Sequence, residues 1–127
     1  MLRGTLEGLR VLLVEDETMI AMLIEDMLIE LGCAMLGPAS DTALAHAMVE
    51  KVPFDVAILD VNLGGERTMP IAATLRSKGI PFVFATGYGP SGIHEEFKDQ
   101  LILTKPFRTT DLQAALRSLV MRGAALR

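Results

Sequence analysis

Three carboxylates and one lysine stand where apolar runs of this chain end. Val11 to Val14 stops at Glu15-Asp16, Phe54 to Leu59 stops at Asp60, and Leu101 to Leu103 stops at Thr104-Lys105-Pro106. Clustered carboxylates offer hard oxygen ligands, and Mg²⁺ (or Mn²⁺) takes one or two of them together with waters and phosphate oxygens. Without a cation the three negative charges would repel and raise one another's pKa. Asp60, emerging from a buried run, is placed to act as a nucleophile toward phosphorus and form an acyl phosphate. Lys105 can neutralise a phosphoryl oxygen, and Thr86, at the end of a fourth run, can donate a hydroxyl hydrogen bond to another. This is phosphoryl transfer by positioning and charge neutralisation. Each residue alone has a plainer use: an aspartate after a strand caps or turns, Asp16 can cap the helix that follows, Thr86 precedes a glycine, and a lysine is solvated. Their joint placement at four of five strand ends favours the chemistry.

The elements that must hold these groups are readable from periodicity. Five short apolar runs, at about 10–14, 33–37, 55–60, 81–85 and 101–104, are predicted strands, and the segments between them carry helical spacing or helix punctuation. Such alternation implies βαβ units with right-handed crossovers, hence an α/β fold with a doubly wound five-stranded parallel sheet and helices on both faces. Strand ends on one edge of that sheet share a crevice, so the carboxylates and the lysine converge there.

In the first helix Ile20, Leu23, Ile24, Met27, Leu28 and Leu31 follow the spacing of one buried face, ended by Gly32. Met22 and Ile29 fall opposite, with Met19 at the flank, which is more apolar surface than a solvated helix side needs. The last helix buries Leu112, Ala115, Leu116, Leu119 and Val120 behind Thr109 or Thr110 as cap and Asp111 in the first turn. Between them, Ser40 or Asp41 caps a helix burying Leu44, Ala47 and Met48. Thr68 and Pro70 open another that buries Ile71, Ala72 and Leu75 and stops at Gly79. The stretch 87–97 begins with glycines and a proline and offers Ile93 and Phe97 as its apolar pair, which predicts a mobile loop and at most a short fourth helix.

Composition narrows the function classes. A chain of 127 residues is about one domain. The apolar stretches fall short of the roughly 20 residues a membrane-spanning helix needs, and the first ten residues lack a signal-peptide core, so the expected compartment is the cytoplasm with no membrane insertion. The net charge of −4 and the absence of a basic run argue against direct nucleic-acid binding. Cys33, the single cysteine, reads as a small buried hydrophobe. His46 and His94 lack metal-ligand partners at recognisable spacing and read as surface residues; Met48, Met69 and Met121 read as packing.

Val-Glu-Asp-Glu at 14–17, Leu-Asp-Val-Asn-Leu at 59–63, Ala-Thr-Gly at 85–87 and Lys-Pro-Phe at 105–107 resemble, in order and over essentially the whole chain, the motifs of a response-regulator receiver domain of two-component signalling. The resemblance implies a flavodoxin-like receiver topology and a single receiver domain over 1–127. It implies that Asp60 is phosphorylated by a histidine kinase or histidine phosphotransfer protein. Glu15, Asp16 and Asp60 then hold Mg²⁺ with the Asn62 backbone carbonyl, Thr86 and Lys105 bind the phosphoryl oxygens, and the Lys105-Pro106 bond is cis. It implies a protein that accepts phosphate and loses it slowly, without being a conventional turnover enzyme, that acts through protein contact as a monomer or weak dimer.

Three departures from the family pattern bear on mechanism. Ile102 stands where an aromatic switch residue usually precedes the lysine by three positions, leaving Tyr88 to take part of that role. Phe84-Ala-Thr-Gly-Tyr88 resembles the signature of a subclass found mostly as single-domain regulators in alphaproteobacteria, with an altered or mobile fourth helix. Gly64 replaces a common proline, giving Gly64-Gly65 and an expectation of a looser metal-side loop. The apolar face of Met19, Met22 and Ile29 is a candidate docking surface for the helical bundle of the histidine donor, balanced against scattered surface hydrophobes.

The same residues bear on the alternatives. A receiver cut from a hybrid kinase or longer regulator would read the same. A haloacid-dehalogenase-type phosphatase needs an acid two positions after its nucleophile, where this chain has Asn62. A flavin module would place phosphate against Glu15, Asp16 and Glu17, and a pseudo-receiver would lack one of the chemical residues.

Overall fold

The computed structural model describes residues 6–87 and 93–125. In chain order it contains β1 (Arg10–Val14), α1 (Thr18–Glu30), β2 (Ala34–Ala39), α2 (Thr42–Lys51), β3 (Val56–Asp60), the short β4 (Asn62–Leu63) and β5 (Glu66–Arg67), α3 (Met69–Ser77), β6 (Phe82–Thr86), β7 (Ile102–Thr104) and α4 (Thr109–Ala125). Five parallel strands form the sheet in the order β2-β1-β3-β6-β7, the flavodoxin-like winding expected of the alternating pattern.

Strand residues alternate between two cores because successive side chains leave opposite faces. Val11, Leu13, Val56, Ile58, Val83 and Ala85 pack with Ile24 and Leu28 of α1 and Leu112, Leu116 and Leu119 of α4. Leu12, Val14, Ala57, Leu59, Phe82 and Phe84 pack on the other face with Ala45 and Val49 of α2 and Ile71, Ala72 and Leu75 of α3. The central strands are thus buried on both faces, which is why they read as uninterrupted apolar runs.

Several boundaries and faces differ from the sequence expectation. β2 is shifted to 34–39, because Gly37, at φ 97°, lies against β1 where a Cβ would come within 2.7 Å of the Leu13 carbonyl oxygen. Gly37-Pro38 is cis, as is the expected Lys105-Pro106. α2 buries Ala45 and Val49 fully and packs Met48 half-buried against the core, whereas Leu44 and Ala47 are exposed; the small Ala45 lets the helix approach the sheet, and Leu44 turns outward. Asp41 caps α2 by accepting from the Leu44 N–H at 2.7 Å. Leu23 of α1 is exposed, and the buried stripe runs through Ala21, Ile24 and Leu28. α4 begins at Thr109 with no threonine cap; Asp111 reaches back to accept from the Arg108 N–H at 2.9 Å. Met121 is exposed and does not pack.

The expected loose loop at Gly64-Gly65 is a tight hairpin. β4 and β5 pair antiparallel, Asn62 with Arg67 and Leu63 with Glu66. The two glycines between them have φ 58° and 89°, the positive values that a two-residue primed turn demands and that side chains other than glycine rarely adopt. Among the described residues between β6 and β7, the helical structure is a 3₁₀ turn over Glu95–Phe97, anchored by buried Ile93 and Phe97. The Phe97 ring meets Phe82 and Phe84 edge-on at centroid separations of 6.5 and 6.0 Å, an arrangement favoured by the ring quadrupoles. Tyr88 and residues 89–92 of the expected loop lie outside the described residues.

Candidate functional site

The sheet order reverses between β1 and β3: the chain leaves β1 for β2 on one side and returns to place β3 on the other. This opens a crevice at the carboxyl ends of the two strands. Glu15 follows β1, Asp60 closes β3, Thr86 closes β6 and Lys105 follows β7, so the expected groups meet at one edge. Glu15, Asp60 and Thr86 are buried, at 1%, 8% and 3% exposure, whereas Asp16 and Asn62 are open to solvent.

Lys105 Nζ donates to Glu15 Oε1 at 2.7 Å and to Asp60 Oδ2 at 3.3 Å. The other Glu15 oxygen accepts from the Glu17 N–H at 3.1 Å, and Asp60 Oδ1 accepts from the Asn62 N–H at 3.4 Å. The Lys105 N–H donates to the Thr86 carbonyl at 2.8 Å, tying the loop after β7 to the end of β6. Asp16 does not cap α1, whose N-cap position is Glu17; its Oδ2 accepts instead from the Gly64 N–H at 2.9 Å and so joins the end of β1 to the β4–β5 turn.

Burial pushes the Asp60 carboxyl up to about 6, with the negative charge of Glu15 adding to it; the Lys105 charge and the Asn62 N–H pull it down without cancelling the burial. Burial works against the Lys105 charge, but its hydrogen bond to Glu15 and the charges of Asp60 and Glu15 outweigh that, and its pKa lies above the ordinary lysine value. The cleft therefore holds a carboxylate whose charge is incompletely compensated.

That deficit, with the spacing of the acids, is the test of whether a divalent cation fits. One carboxylate oxygen from each of Glu15, Asp16 and Asp60 lies within 4.8 Å of the others, a spacing one ion can bridge. Glu15 and Asp60 already share Lys105, while Asp16 is solvent-facing and oriented by the hairpin. The donor set fits a hard divalent ion.

The crevice continues as a cleft of about 690 Å³ whose polar end is formed by Asp16, Asp60, Asn62, Thr86 and Lys105. Its apolar end is formed by Ile20, Leu23, Ile24 and Met27 of α1 and by Phe107. Met19, Met22 and Ile29 stand 76%, 59% and 65% exposed on the same helix, as its sequence surplus predicts, and Leu23 joins them at 58%. His46 and His94 are exposed; His94 Nδ1 accepts from the Glu96 N–H at 3.3 Å and caps the 3₁₀ turn.

Two residues at the site escape sequence reasoning. Arg67 lines the cleft because the unexpected hairpin places it opposite Asn62. Thr68 reads as a helix cap, yet its side chain makes no cap hydrogen bond to α3; it is fully buried with its hydroxyl on the carbonyls of Asp60 and Val61. A threonine one residue before a Met-Pro helix start carries no signal that separates the two uses.

Known proteins resemble this chain in sequence and fold. Residues 11–117 match the family model described as response regulator receiver domain. The transcriptional regulatory protein PdtaR of Mycobacterium tuberculosis (strain CDC 1551 / Oshkosh) is 33% identical over 117 residues, covering 89% of this chain and 57% of PdtaR. The chain thus spans a little over half the length of that curated relative. The solution structure of SdrG from Sphingomonas melonis Fr1 is 43% identical, with a TM-score of 0.80 over 89% of this chain and 97% of SdrG. The receiver domain of the sensor histidine kinase PA1611 from Pseudomonas aeruginosa PAO1, whose crystal structure has a magnesium ion coordinated in its active site cleft, shares the fold at 23% identity. Its TM-score is 0.77, over 90% of this chain and 98% of that domain. Family match, relatives and sheet-edge geometry agree, and the chain belongs to the response regulator receiver domain family of two-component signalling.

Proposed function

We propose that this chain is a phosphoacceptor receiver that takes a phosphoryl group on Asp60 from a histidine kinase or histidine phosphotransfer protein and signals by protein contact. The observation that carries the reading is the convergence of Asp60, Asp16, Glu15, Thr86 and Lys105 on one cleft. An Asp60 carboxylate oxygen attacks phosphorus, the P–N bond of the phosphohistidine breaks, and the imidazole leaves with the electron pair and takes up a proton. Glu15, Asp16, Asp60 and the Asn62 carbonyl would hold Mg²⁺ (or Mn²⁺), which supplies charge neutralisation for the transferring phosphoryl oxygens. Lys105 and the Thr86 hydroxyl bind those oxygens, Lys105 exchanging part of its contact with Asp60 for one with phosphate.

The exposed Met19, Met22 and Ile29 of α1, the helix whose Ile20, Leu23, Ile24 and Met27 line the cleft, form the donor-docking face in this reading. The 43% identity to SdrG and the 3₁₀ turn over Glu95–Phe97, where the described residues between β6 and β7 hold no longer helix, support membership of the subclass with the Phe-Ala-Thr-Gly motif and a reduced fourth helix. Slow hydrolysis of its own acyl phosphate, without turnover of other substrates, is the expected catalytic behaviour. A monomer or weak dimer in the cytoplasm without nucleic-acid contact completes the proposal. Among the described residues no helix is long and apolar enough to cross a membrane, and the net charge of −4 opposes binding to a phosphate backbone.

A second reading, a receiver module working within a longer regulator, is favoured by the 57% coverage of PdtaR; the 97% coverage of SdrG favours a stand-alone receiver over 1–127. Both require the same chemistry. The test is transfer of labelled phosphate from a phosphorylated histidine phosphotransfer protein. Label on wild type and none on Asp60→Asn is expected; equal labelling of the two would refute Asp60 as acceptor.

A further inference from the structure

Thr68 is at 0% exposure and lies eight residues beyond Asp60, outside the groups that the phosphoryl chemistry uses. Its hydroxyl oxygen stands 2.5 Å from the Asp60 carbonyl oxygen and 3.0 Å from that of Val61, and its N–H donates to the Val61 carbonyl at 3.1 Å. One hydroxyl hydrogen serves the shorter contact to Asp60, leaving the backbone N–H for Val61. The Val61 N–H is in turn held by the Ala85 carbonyl at 3.3 Å. The main-chain groups between the acceptor aspartate and Asn62 are therefore pinned from two sides, by Thr68 and by β6.

Thr68 also follows directly on Arg67, which pairs with Asn62 across the hairpin. A single residue thus ties both arms of the β4–β5 unit to the end of β3. α3 makes no use of the hydroxyl, since the Thr68 side chain forms no cap bond and Pro70 lies in the first turn. Burying a hydroxyl is unfavourable unless it is bonded, and here the bonds go to the strand that carries the acceptor.

We infer that Thr68 is a positioning residue for cation binding: by holding the Asp60 and Val61 carbonyls it sets the path of the main chain that presents the Asn62 carbonyl and the Gly64 N–H to the cleft. The inference rests on the receiver reading, in which Asn62 supplies a main-chain ligand. Groups that orient first ligands typically change metal affinity 10–100-fold when removed.

The test is calorimetric titration of Mg²⁺ into wild type, Thr68→Val and Thr68→Ser, paired with the rate of phosphorylation by acetyl phosphate as a function of Mg²⁺. Valine keeps the volume and loses the hydroxyl; serine keeps the hydroxyl. Thr68→Val is expected to bind Mg²⁺ about tenfold more weakly, with a phosphorylation rate at saturating Mg²⁺ close to wild type, and Thr68→Ser to restore the affinity. Wild-type affinity in folded Thr68→Val overturns the inference, as does an equal loss in the valine and serine variants. Should Thr68→Val not fold, a tenfold loss in Thr68→Ser would overturn it and wild-type affinity there would support it. Wild type that takes up no Mg²⁺ would instead refute the receiver reading on which the inference stands.

Discussion

Lys105 is held more closely by Glu15 than by Asp60: its ammonium is 2.7 Å from the Glu15 carboxylate and 3.3 Å from that of the acceptor aspartate. Glu15 is itself almost completely buried, so it fixes the Lys105 ammonium as a post beside Asp60. A phosphoryl group on Asp60 would meet a lysine already aimed at it, at little entropic cost.

Removing that lysine leaves two buried carboxylates facing one another. Lys105→Met is expected to lose about 3–5 kcal/mol of stability at neutral pH, the usual cost of breaking a buried pair from one side. Millimolar Mg²⁺ should restore part of the loss. Urea unfolding with and without Mg²⁺ measures both, and a Lys105→Met variant as stable as wild type would show that the post carries no structural weight.

The Asp60 carboxyl, near 6 in the folded chain against 3.8 ordinarily, makes stability fall as pH rises between those values, since the folded state retains the proton that the unfolded chain has released. Burial is the main cause and the neighbouring Glu15 charge adds to it. Asp60→Asn removes the ionisation. The variant is expected to match wild type near pH 4 and to exceed it by on the order of 1–2 kcal/mol at pH 8 without Mg²⁺, allowing for solvent screening in an open cleft. Denaturation midpoints across that range give the result. The same proton competes with the cation, so Mg²⁺ affinity should fall about tenfold per pH unit below 6.

The exposed face of α1 predicts a separation of two reactions. Met22→Glu places a charge among Met19, Leu23 and Ile29, at a side chain 59% exposed. Phosphotransfer from the cognate histidine protein is expected to slow at least tenfold, while phosphorylation by acetyl phosphate keeps its rate. Undiminished transfer from the protein donor would assign the methionines to ordinary surface.

Arg76 of α3 reaches across to the segment after β6. Its guanidinium lies 4.5 Å from the centroid of the Phe97 ring, donates to the Glu96 carbonyl at 2.9 Å and to Gln100 Oε1 at 3.1 Å, and stands 3.7 Å from Asp99. Arg76→Ala should speed amide exchange over 93–100 and cost about 1 kcal/mol of stability. Exchange confined to wild-type rates would mean that the buried Ile93 and Phe97 hold the segment without Arg76.

Much of this was legible in the chain because the central strands are buried on both sides. Uninterrupted apolar runs ending in Asp60, Glu15 or Lys105 locate the sheet edge without knowledge of packing. What escaped depends on close approach of main chain. The face of α2 is chosen by Ala45, a residue with little hydrophobic signal of its own, over the larger Leu44. The β4–β5 hairpin has only two residues per strand, too few for periodicity to show. Thr68 was hidden because the same residue type caps helices and binds carbonyls. The Lys105-Pro106 cis bond followed from family resemblance, whereas nothing in the sequence distinguished Gly37-Pro38.

The central claim is that Asp60 accepts a phosphoryl group with a divalent cation beside it, and intact-mass analysis after incubation with acetyl phosphate tests it most directly. Wild type with Mg²⁺ is predicted to gain one phosphoryl group, and neither Asp60→Asn nor wild type with chelator should gain any. An adduct that persists in Asp60→Asn, or that forms equally well without a divalent cation, would contradict the assignment of this cleft.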